Sequence, residues 1–558
     1  MPPLRNLFPF LNWPRPDAAL LRGEALAGLT VGLMVVPQGM AYAALAGMPT
    51  VTGIYASLLP ALVAALFSAS TRLSVGPTAL SCLLVAASIG ELAEPGSARW
   101  IELAAWLALL SGGLQVALGW MRFGWLLNLV SAPVLTAFTQ AAAVLIITSQ
   151  LPALFGLPGG LTDWSGWSAL HLPSAVFGIA SLAALMLARR WRPGFPTVLV
   201  VLLASAGISK WIGFEDSGGA VVGWVPGGLP ALSLPALPSL ATLGNLLLPA
   251  MTITLVSFLE TASSARVDSE RQGRHWNQDQ DLIGQGLAKV AAGLSGAFPT
   301  SSSFSRSALN LYAGARTGWA TVFSAVVVLG VLLFMTPLLH HAPLSVLSAI
   351  VLVAVVGLVQ PRAFVRTWEI ARVEALIAGA TFAITLATAP RLYWGVLAGV
   401  VMALSHFIYQ RLHPRIIEVG LHPDGSLRDR HLWTLPPLAA RTFALRMDAA
   451  LDFATAHAFE RAITGHLAAH PDTTSVCIFA QPINRIDATG AEVFAKLCMH
   501  LRAHDVALHV SGIKLPVETV LRAAGALSGN SWPKLYRTDA ELLAILSAAD
   551  CSAQDTAP

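Results

Sequence analysis

Charge is what this sequence has least of. Asp, Glu, Lys and Arg supply 11% of its 558 residues, less than half of the roughly 25% usual in a soluble globular chain, and the mean hydropathy is +0.66. A wholly soluble protein is excluded. A net charge of +4 over this length provides no basic face for nucleic acid. Cysteine is scarce too: Cys82, Cys477, Cys498 and Cys551 are scattered, without CxxC spacing or a nearby histidine, so neither a disulfide framework nor a zinc site is expected. Met1 to Arg22 lacks the short apolar core and small-residue cleavage site of a signal peptide and reads as a cytoplasmic lead-in. Low-complexity sequence is absent apart from the Pro- and Gly-rich stretch Val225 to Pro238.

Long apolar runs take the place of charge. From about Ala25 to Ile408 they are separated by Pro, Gly and short charged turns, and at roughly 20 residues per crossing this stretch holds about fourteen spans. Expected starts lie near Leu26, Val51, Gly76, Trp100, Val130, Ala175, Thr197, Leu243, Leu282, Phe304, Ala320, Leu344, Ala375 and Trp394. Trp100, Trp106, Trp120 and Trp125 read as interface anchors and span residues. Beyond Ile408 charge becomes frequent and the apolar runs shorten. The expected organisation is a lead-in over 1–24, a membrane domain over 25–415, a linker over 416–431 marked by Pro423 and Gly425, a soluble domain over 432–550 and a tail over 551–558.

Arginine placement orients the spans. With a cytoplasmic N-terminus, the inside loops receive Arg122, Arg189, Arg190, Arg192, Arg266, Arg271, Arg274, Arg316, Arg362, Arg366, Arg372, Arg411 and Arg415, and the opposite loops little beyond Arg99, Lys210 and Arg391. This positive-inside asymmetry puts both termini in the cytoplasm, in keeping with an inner (plasma) membrane protein.

Two of the spans are interrupted. Ser70-Thr-Arg-Leu-Ser-Val-Gly-Pro-Thr-Ala79 runs through a Gly-Pro break into an apolar segment ending near Ile89, and Pro299-Thr-Ser-Ser-Ser-Phe-Ser-Arg306 is its counterpart in the second half. Paired short, broken segments point to a transporter whose half-helices meet at the bilayer midplane. The N-terminus of each offers unpaired N–H groups and a partial positive charge, so an anion is the natural ligand. Gly76, Thr78 and Ala79 at one start, and Ser303, Phe304, Ser305 and Arg306 at the other, are the candidate contacts. Intramembrane charge is expensive enough to point to function for Arg306, a structural arginine being the plain alternative. Thr78, Ser303 and Ser305 equally suit capping.

Glu260 lies in Ser257-Phe-Leu-Glu-Thr-Ala-Ser-Ser264, within an apolar eighth span. A carboxylate so placed favours its protonated form and can carry a proton, or it can hold a cation together with hydroxyls such as that of Ser264; a salt bridge inside the bundle is the plain alternative. In the soluble part, Val476 to Phe479 and Val506 to Val510 read as strands and Gly490 to Leu501 as a helix, giving an α/β layer large enough for its own core. The turn Asp487-Ala-Thr-Gly490 opens that helix, with Asp487 or Thr489 as its cap.

Val36-Pro-Gln-Gly-Met-Ala-Tyr-Ala-Ala-Leu-Ala-Gly47, Ser131-Ala-Pro-Val134 with Thr148-Ser-Gln-Leu151, and Ser303-Phe-Ser-Arg-Ser307 with Ala313-Gly-Ala-Arg-Thr317 resemble the signature blocks of the SulP (sulfate permease) family of anion transporters. Asn484-Arg-Ile-Asp-Ala-Thr-Gly490 resembles the STAS domain that usually accompanies it. The resemblance implies an α-helical membrane protein of about fourteen transmembrane segments, arranged as two inverted seven-helix repeats with core and gate domains, plus a small cytoplasmic α/β STAS domain. It implies secondary active transport of an inorganic anion by movement of core against gate, with sulfate ahead of bicarbonate or a fumarate-like dicarboxylate, and neither enzymatic activity nor a cofactor. It places Gln38 and Tyr42 in the anion pocket. Lys289 stands where relatives carry a neutral polar residue, and an ammonium near Glu260 could take the place that sodium occupies in sodium-coupled bicarbonate relatives. A proton is therefore the expected coupling ion, ahead of sodium. A homodimer in lipid is expected. Thr489 stands where soluble antagonists of the STAS fold carry a phosphorylated serine, so regulation there and a cytoplasmic protein partner are further expectations. An uncoupled anion channel and a membrane sensor signalling through its STAS domain are the alternatives from other classes.

Overall fold

A computed structural model describes residues 8–157, 170–191, 196–273, 275–527 and 532–554. The first seven residues of the lead-in, Arg192, Arg274 and residues 555–558 of the tail lie outside the described residues, as do the side chains of Arg189, Arg271 and Cys551. The chain divides into two units, Met1–Ala403 and Leu404–Pro558.

The first unit is helical: α1 (Ala18–Leu45), α2 (Thr50–Tyr55), α3 (Leu59–Phe67), α4 (Ala79–Ile89), α5 (Ala98–Trp120), α6 (Ala132–Phe155), α7 (Leu172–Trp191), α8 (Thr197–Trp211), α9 (Leu240–Gln272), α10 (Gln278–Leu294), α11 (Phe304–Tyr312), α12 (Trp319–Gly330), α13 (Thr336–Leu339), α14 (Leu344–Val356), α15 (Pro361–Ile370), α16 (Arg372–Ala387) and the first half of α17 (Tyr393–Leu412), whose residues from Leu404 on belong to the second unit. The segments α2 with α3, and α12 with α13, each make one span, and a helical segment covers, or begins within three residues of, each of the fourteen expected starts. Among the described residues, eight helices are long and apolar enough to cross a membrane. The first begins at Ala18, ahead of Leu26, because the Asp17 carboxylate accepts the Leu20 N–H at 2.7 Å and caps it. The helix thus reaches back into the stretch read as lead-in, and Glu24 is buried within it. Trp100 packs inside the bundle as a span residue, its Nε1 donating to the Ala46 carbonyl at 3.0 Å. Trp120 and Trp125 are exposed.

The two broken spans have half-length helices. With 11 and 9 residues, α4 and α11 reach about 16 and 14 Å at 1.5 Å per residue, half of a hydrocarbon layer about 30 Å thick. Each follows a two-residue strand, β1 (Val75–Gly76) and β2 (Ser301–Ser302), and these pair antiparallel with Val75 opposite Ser302 and Gly76 opposite Ser301. Gly76 therefore belongs to a strand and not to the helix start placed there from sequence. Pro77 disfavours helical backbone at the residue before it, and the helix waits for the cap at Thr78. Close by, α1 crosses α2 where a Cβ on Gly39 would stand 2.7 Å from the Gly53 carbonyl oxygen. Only glycine permits that approach, and it presses the part of α1 carrying the buried Gln38 and Tyr42 into the bundle.

The second unit is built on one sheet. Its strands β3 (Ile416–Leu421), β4 (Leu427–Asp429), β5 (Thr442–Met447), β6 (Ser475–Phe479), β7 (Ala507–Ser511) and β8 (Lys534–Tyr536) lie in the order β4-β3-β5-β6-β7-β8. From β5 to β8 the neighbours run parallel, joined by α18 (Ala456–Ala469), α19 (Ala488–Ala503) and α20 (Leu515–Ala523), and α21 (Asp539–Gln554) closes the unit. Residues 416–431, read as a linker, instead hold β3 and β4. Ile417 and Val419 of β3 are buried in the sheet's core, and the Pro and Gly that looked like linker form a hairpin turn, with Gly425 at φ 81°. Along β6, Val476 and Ile478 join the core containing Phe459 and Phe494, while Cys477 and Phe479 join that of Leu542 and Leu546. Burial on both faces is why this strand reads as a continuous apolar run.

Candidate anion-binding site

The β1–β2 pair sets the starts of α4 and α11 side by side. The Ser303 N–H donates to the Ser74 carbonyl and the Ser74 N–H to Ser307 Oγ, both at 3.0 Å. Thr78 caps α4, its Oγ1 accepting the Ser81 N–H at 3.3 Å. Ser303 occupies the cap position of α11 but accepts no N–H from that helix; its hydroxyl lies 3.4 Å from that of Ser305. Among the described residues, the N–H groups of Ala79, Leu80, Phe304, Ser305 and Arg306 find no acceptor. Thr78 and Ala79 are buried, whereas Phe304 and Ser305 are exposed. The two starts therefore present main-chain donors with a partial positive charge.

Arg306 ties the two halves. It is 1% exposed, its Nε donates to Ser74 Oγ at 3.3 Å and its Nη1 to the Pro77 carbonyl at 2.9 Å. Nη2 is buried without a partner, beside Gly76, where a Cβ would come within 3.3 Å of it. Burying a polar group unpaired is costly, so the spare donor suits a ligand acceptor. Tyr42 lies within electrostatic reach of Arg306, Glu260 and Cys82, and the Oε1 of Gln38 and the Oγ of Ser81 are also buried without partners. Tyr42, Gly76, Thr78 and Arg306 thus lie close together, from α1, β1, the cap of α4 and α11, and Gln38 and Ala79 are buried on α1 and α4.

Glu260 joins this group from α9. Its Oε2 accepts the Thr78 hydroxyl at 3.1 Å, so one threonine both caps α4 and bonds the carboxylate. The Ser264 hydroxyl lies 3.4 Å from the Glu260 main-chain carbonyl one turn earlier on the same helix. Lys289 is fully buried, its Nζ donating to Gln115 Oε1 and Ser257 Oγ, both at 2.6 Å. No ion pair joins it to Glu260 among the described residues.

Sequence reasoning missed the polar residues that brace the site. Asp281, buried on α10, accepts from the Ser70 N–H at 2.9 Å, the Ser70 hydroxyl at 2.6 Å and Trp276 Nε1 at 2.7 Å. Arg72 pairs with the buried Asp268, and Asn310 Nδ2 donates to the Arg72 carbonyl at 2.8 Å. The segment leading to β1 is thereby fastened to α9, α10 and α11. Glu24 of α1 accepts the N–H groups of Arg316, Thr317 and Ala320 at 2.8, 2.9 and 2.9 Å, serving as the cap of α12. The available signal was the same as for Glu260, a carboxylate at the edge of or within an apolar run.

In the second unit Asp487, not Thr489, caps α19, its Oδ1 accepting the Gly490 N–H at 2.8 Å. Burial raises its pKa, but the N–H groups of Gly490, Phe453 and Thr489 outweigh this and hold the carboxyl below its usual range. Thr489 sits half-buried in the first turn of that helix.

Residues 21–381 match the Sulfate permease family and residues 438–542 the STAS domain. A probable sulfate transporter of Mycobacterium tuberculosis is 31% identical over 519 residues, covering 91% of this chain and 92% of its own. The chloroplastic sulfate transporter 4.1 of Arabidopsis thaliana is 30% identical over 564 residues, covering 94% of this chain and 81% of its own. In fold, the chain resembles the murine Solute Carrier 26 family member A9 anion transporter in its inward-facing state, with a TM-score of 0.86 at 19% identity over 98% of this chain and 94% of that one.

Proposed function

Because the chain belongs to the sulfate permease family of multi-pass membrane transporters, we propose that it carries an inorganic dianion, sulfate first, together with protons. The observation that carries this reading is the double role of Thr78, which caps α4 and donates to Glu260. It links a titratable carboxylate to the helix start whose N–H groups receive the anion.

The charges support a dianion. Arg306 and Lys289 bring two buried basic groups to this region and the half-buried Glu260 one carboxyl. When Glu260 takes a proton, two positive charges face the ligand, balancing sulfate. The anion sits between the starts of α4 and α11, held by their free N–H groups and Arg306 Nη2, with Gln38 and Tyr42 shaping the pocket. In this reading the buried Lys289 amine, held by Gln115 and Ser257, takes the place of sodium. Release of proton and anion on the far side follows movement of the core domain against the gate. The transporter works as a dimer in the inner membrane, with both termini in the cytoplasm and the STAS domain open to regulation at Thr489 or to a protein partner.

Uptake of labelled sulfate into proteoliposomes tests this reading, with bicarbonate and dicarboxylates as competitors. An inward proton gradient is expected to accelerate uptake and a sodium gradient to leave it unchanged. Sodium-driven uptake, current independent of any gradient, or preference for bicarbonate would each overturn it.

A further inference from the structure

We propose that Glu215, His340 and His341 form a binding site for a divalent transition-metal ion of the zinc type, joining the turn after α8 to the connection between α13 and α14. The three residues each offer one ligand atom, and these atoms all lie within 4.8 Å of one another. His340 Nε2 and His341 Nδ1 stand 3.6 and 3.7 Å from the same oxygen, Glu215 Oε2. Those separations are long for a hydrogen bond, which closes at about 2.7–3.2 Å. They approach the edge of a zinc tetrahedron, about 3.3 Å for bonds of 2.0–2.1 Å.

The backbone holds these groups in place. The Val222 N–H donates to the Ala342 carbonyl at 2.9 Å, the Gly223 N–H to the His340 carbonyl at 3.0 Å and the Leu344 N–H to the Ala220 carbonyl at 2.9 Å, with Val221 bridging Pro343. The histidines therefore hang from a short antiparallel ladder. Glu215 follows the buried Phe214, whose ring packs edge-on against Phe177 at 5.1 Å. The side chains are 52% exposed for Glu215, 34% for His340 and 32% for His341, so an ion reaches them from solvent. Two imidazoles and a carboxylate suit zinc, copper or nickel; magnesium and calcium prefer all-oxygen sets. Three protein ligands leave a position for water.

The test is titration of the full-length, detergent-solubilised and chelator-stripped protein with zinc chloride, read by competition with a chromophoric chelator and by thermal unfolding. One saturable zinc per chain is expected, with a raised unfolding temperature and no response to magnesium or calcium. Losing even a partner outside the ligand shell costs about 10–100-fold in metal affinity. Glu215→Gln and the double variant His340→Ala/His341→Ala should accordingly lose at least about tenfold and the thermal shift, while melting normally without zinc. Absence of saturable zinc binding, or binding undiminished in both variants, would overturn the assignment. Sulfate transport is not the readout, so this outcome is independent of the proposed function.

Discussion

Arg306 carries its charge 1% exposed and keeps Nη2 free while its other donors hold Ser74 and Pro77. A hydrogen bond to a charged group contributes about 1.5–3 kcal/mol, so Arg306→Ala is expected to weaken sulfate binding about 10–100-fold in calorimetric titration, with a smaller effect on melting. Arg306→Lys keeps the charge but not the fork and should fall between. Unchanged affinity in both variants would make the arginine structural. Glu260→Gln retains an oxygen to accept from Thr78 but cannot exchange a proton. The variant should still bind and exchange anion in proteoliposomes, yet lose acceleration by a pH gradient; a preserved gradient effect would remove Glu260 from the coupling role.

At the scale of the element, the start of α12 rests on a residue from α1. Glu24 receives three N–H groups there, two on Oε1 and that of Ala320 on Oε2. Glu24→Gln replaces one of these oxygens by a donor and removes the charge that favours a helix N-terminus. A loss of about 1.5–3 kcal/mol is expected, seen as a lower unfolding temperature, and an unchanged one would show the cap to be dispensable. The half-helix starts were legible in the sequence because a Gly-Pro break and a serine run are local signals. The braces were not. Glu24 and Arg316 are 292 residues apart, and Gln115 and Lys289 are 174 apart, so only packing decides which polar groups meet. Lys289 was recognised as unusual, but its partners Gln115 and Ser257 are neutral residues that leave no charge pattern to read. Strands β3 and β4 were hidden for a different reason, being short and separated by the Pro and Gly of their own turn.

For the whole molecule, the two units answer to different conditions. In the second unit, burial holds His466 and His509 below the usual imidazole range, with His470 adding to the effect at the first and Lys534 at the second. Both bind protons more weakly folded than unfolded, so their contribution is complete above the unfolded value of about 6.5 and is lost as pH falls below it. Protection of the β7 amides in the full-length protein, taken relative to their intrinsic exchange rates, should fall as pH drops below about 6.5, and less so in His509→Leu; a flat protection profile would contradict this. The first unit contains every residue proposed for the anion, from Gln38 to Arg306. Ending the chain after Arg415 keeps α17 whole and stops before β3, so it removes the sheet without cutting a helix. Intrinsic affinity should therefore survive, and the loss should fall on transport rate or dimer yield, since a separate unit acts on populations and rates. Calorimetric sulfate binding, liposome flux and mass measurement on truncated and full-length protein separate these outcomes. A large loss of affinity in a folded first unit would refute the division, and unaltered flux and assembly would leave the second unit as a docking module for a protein partner.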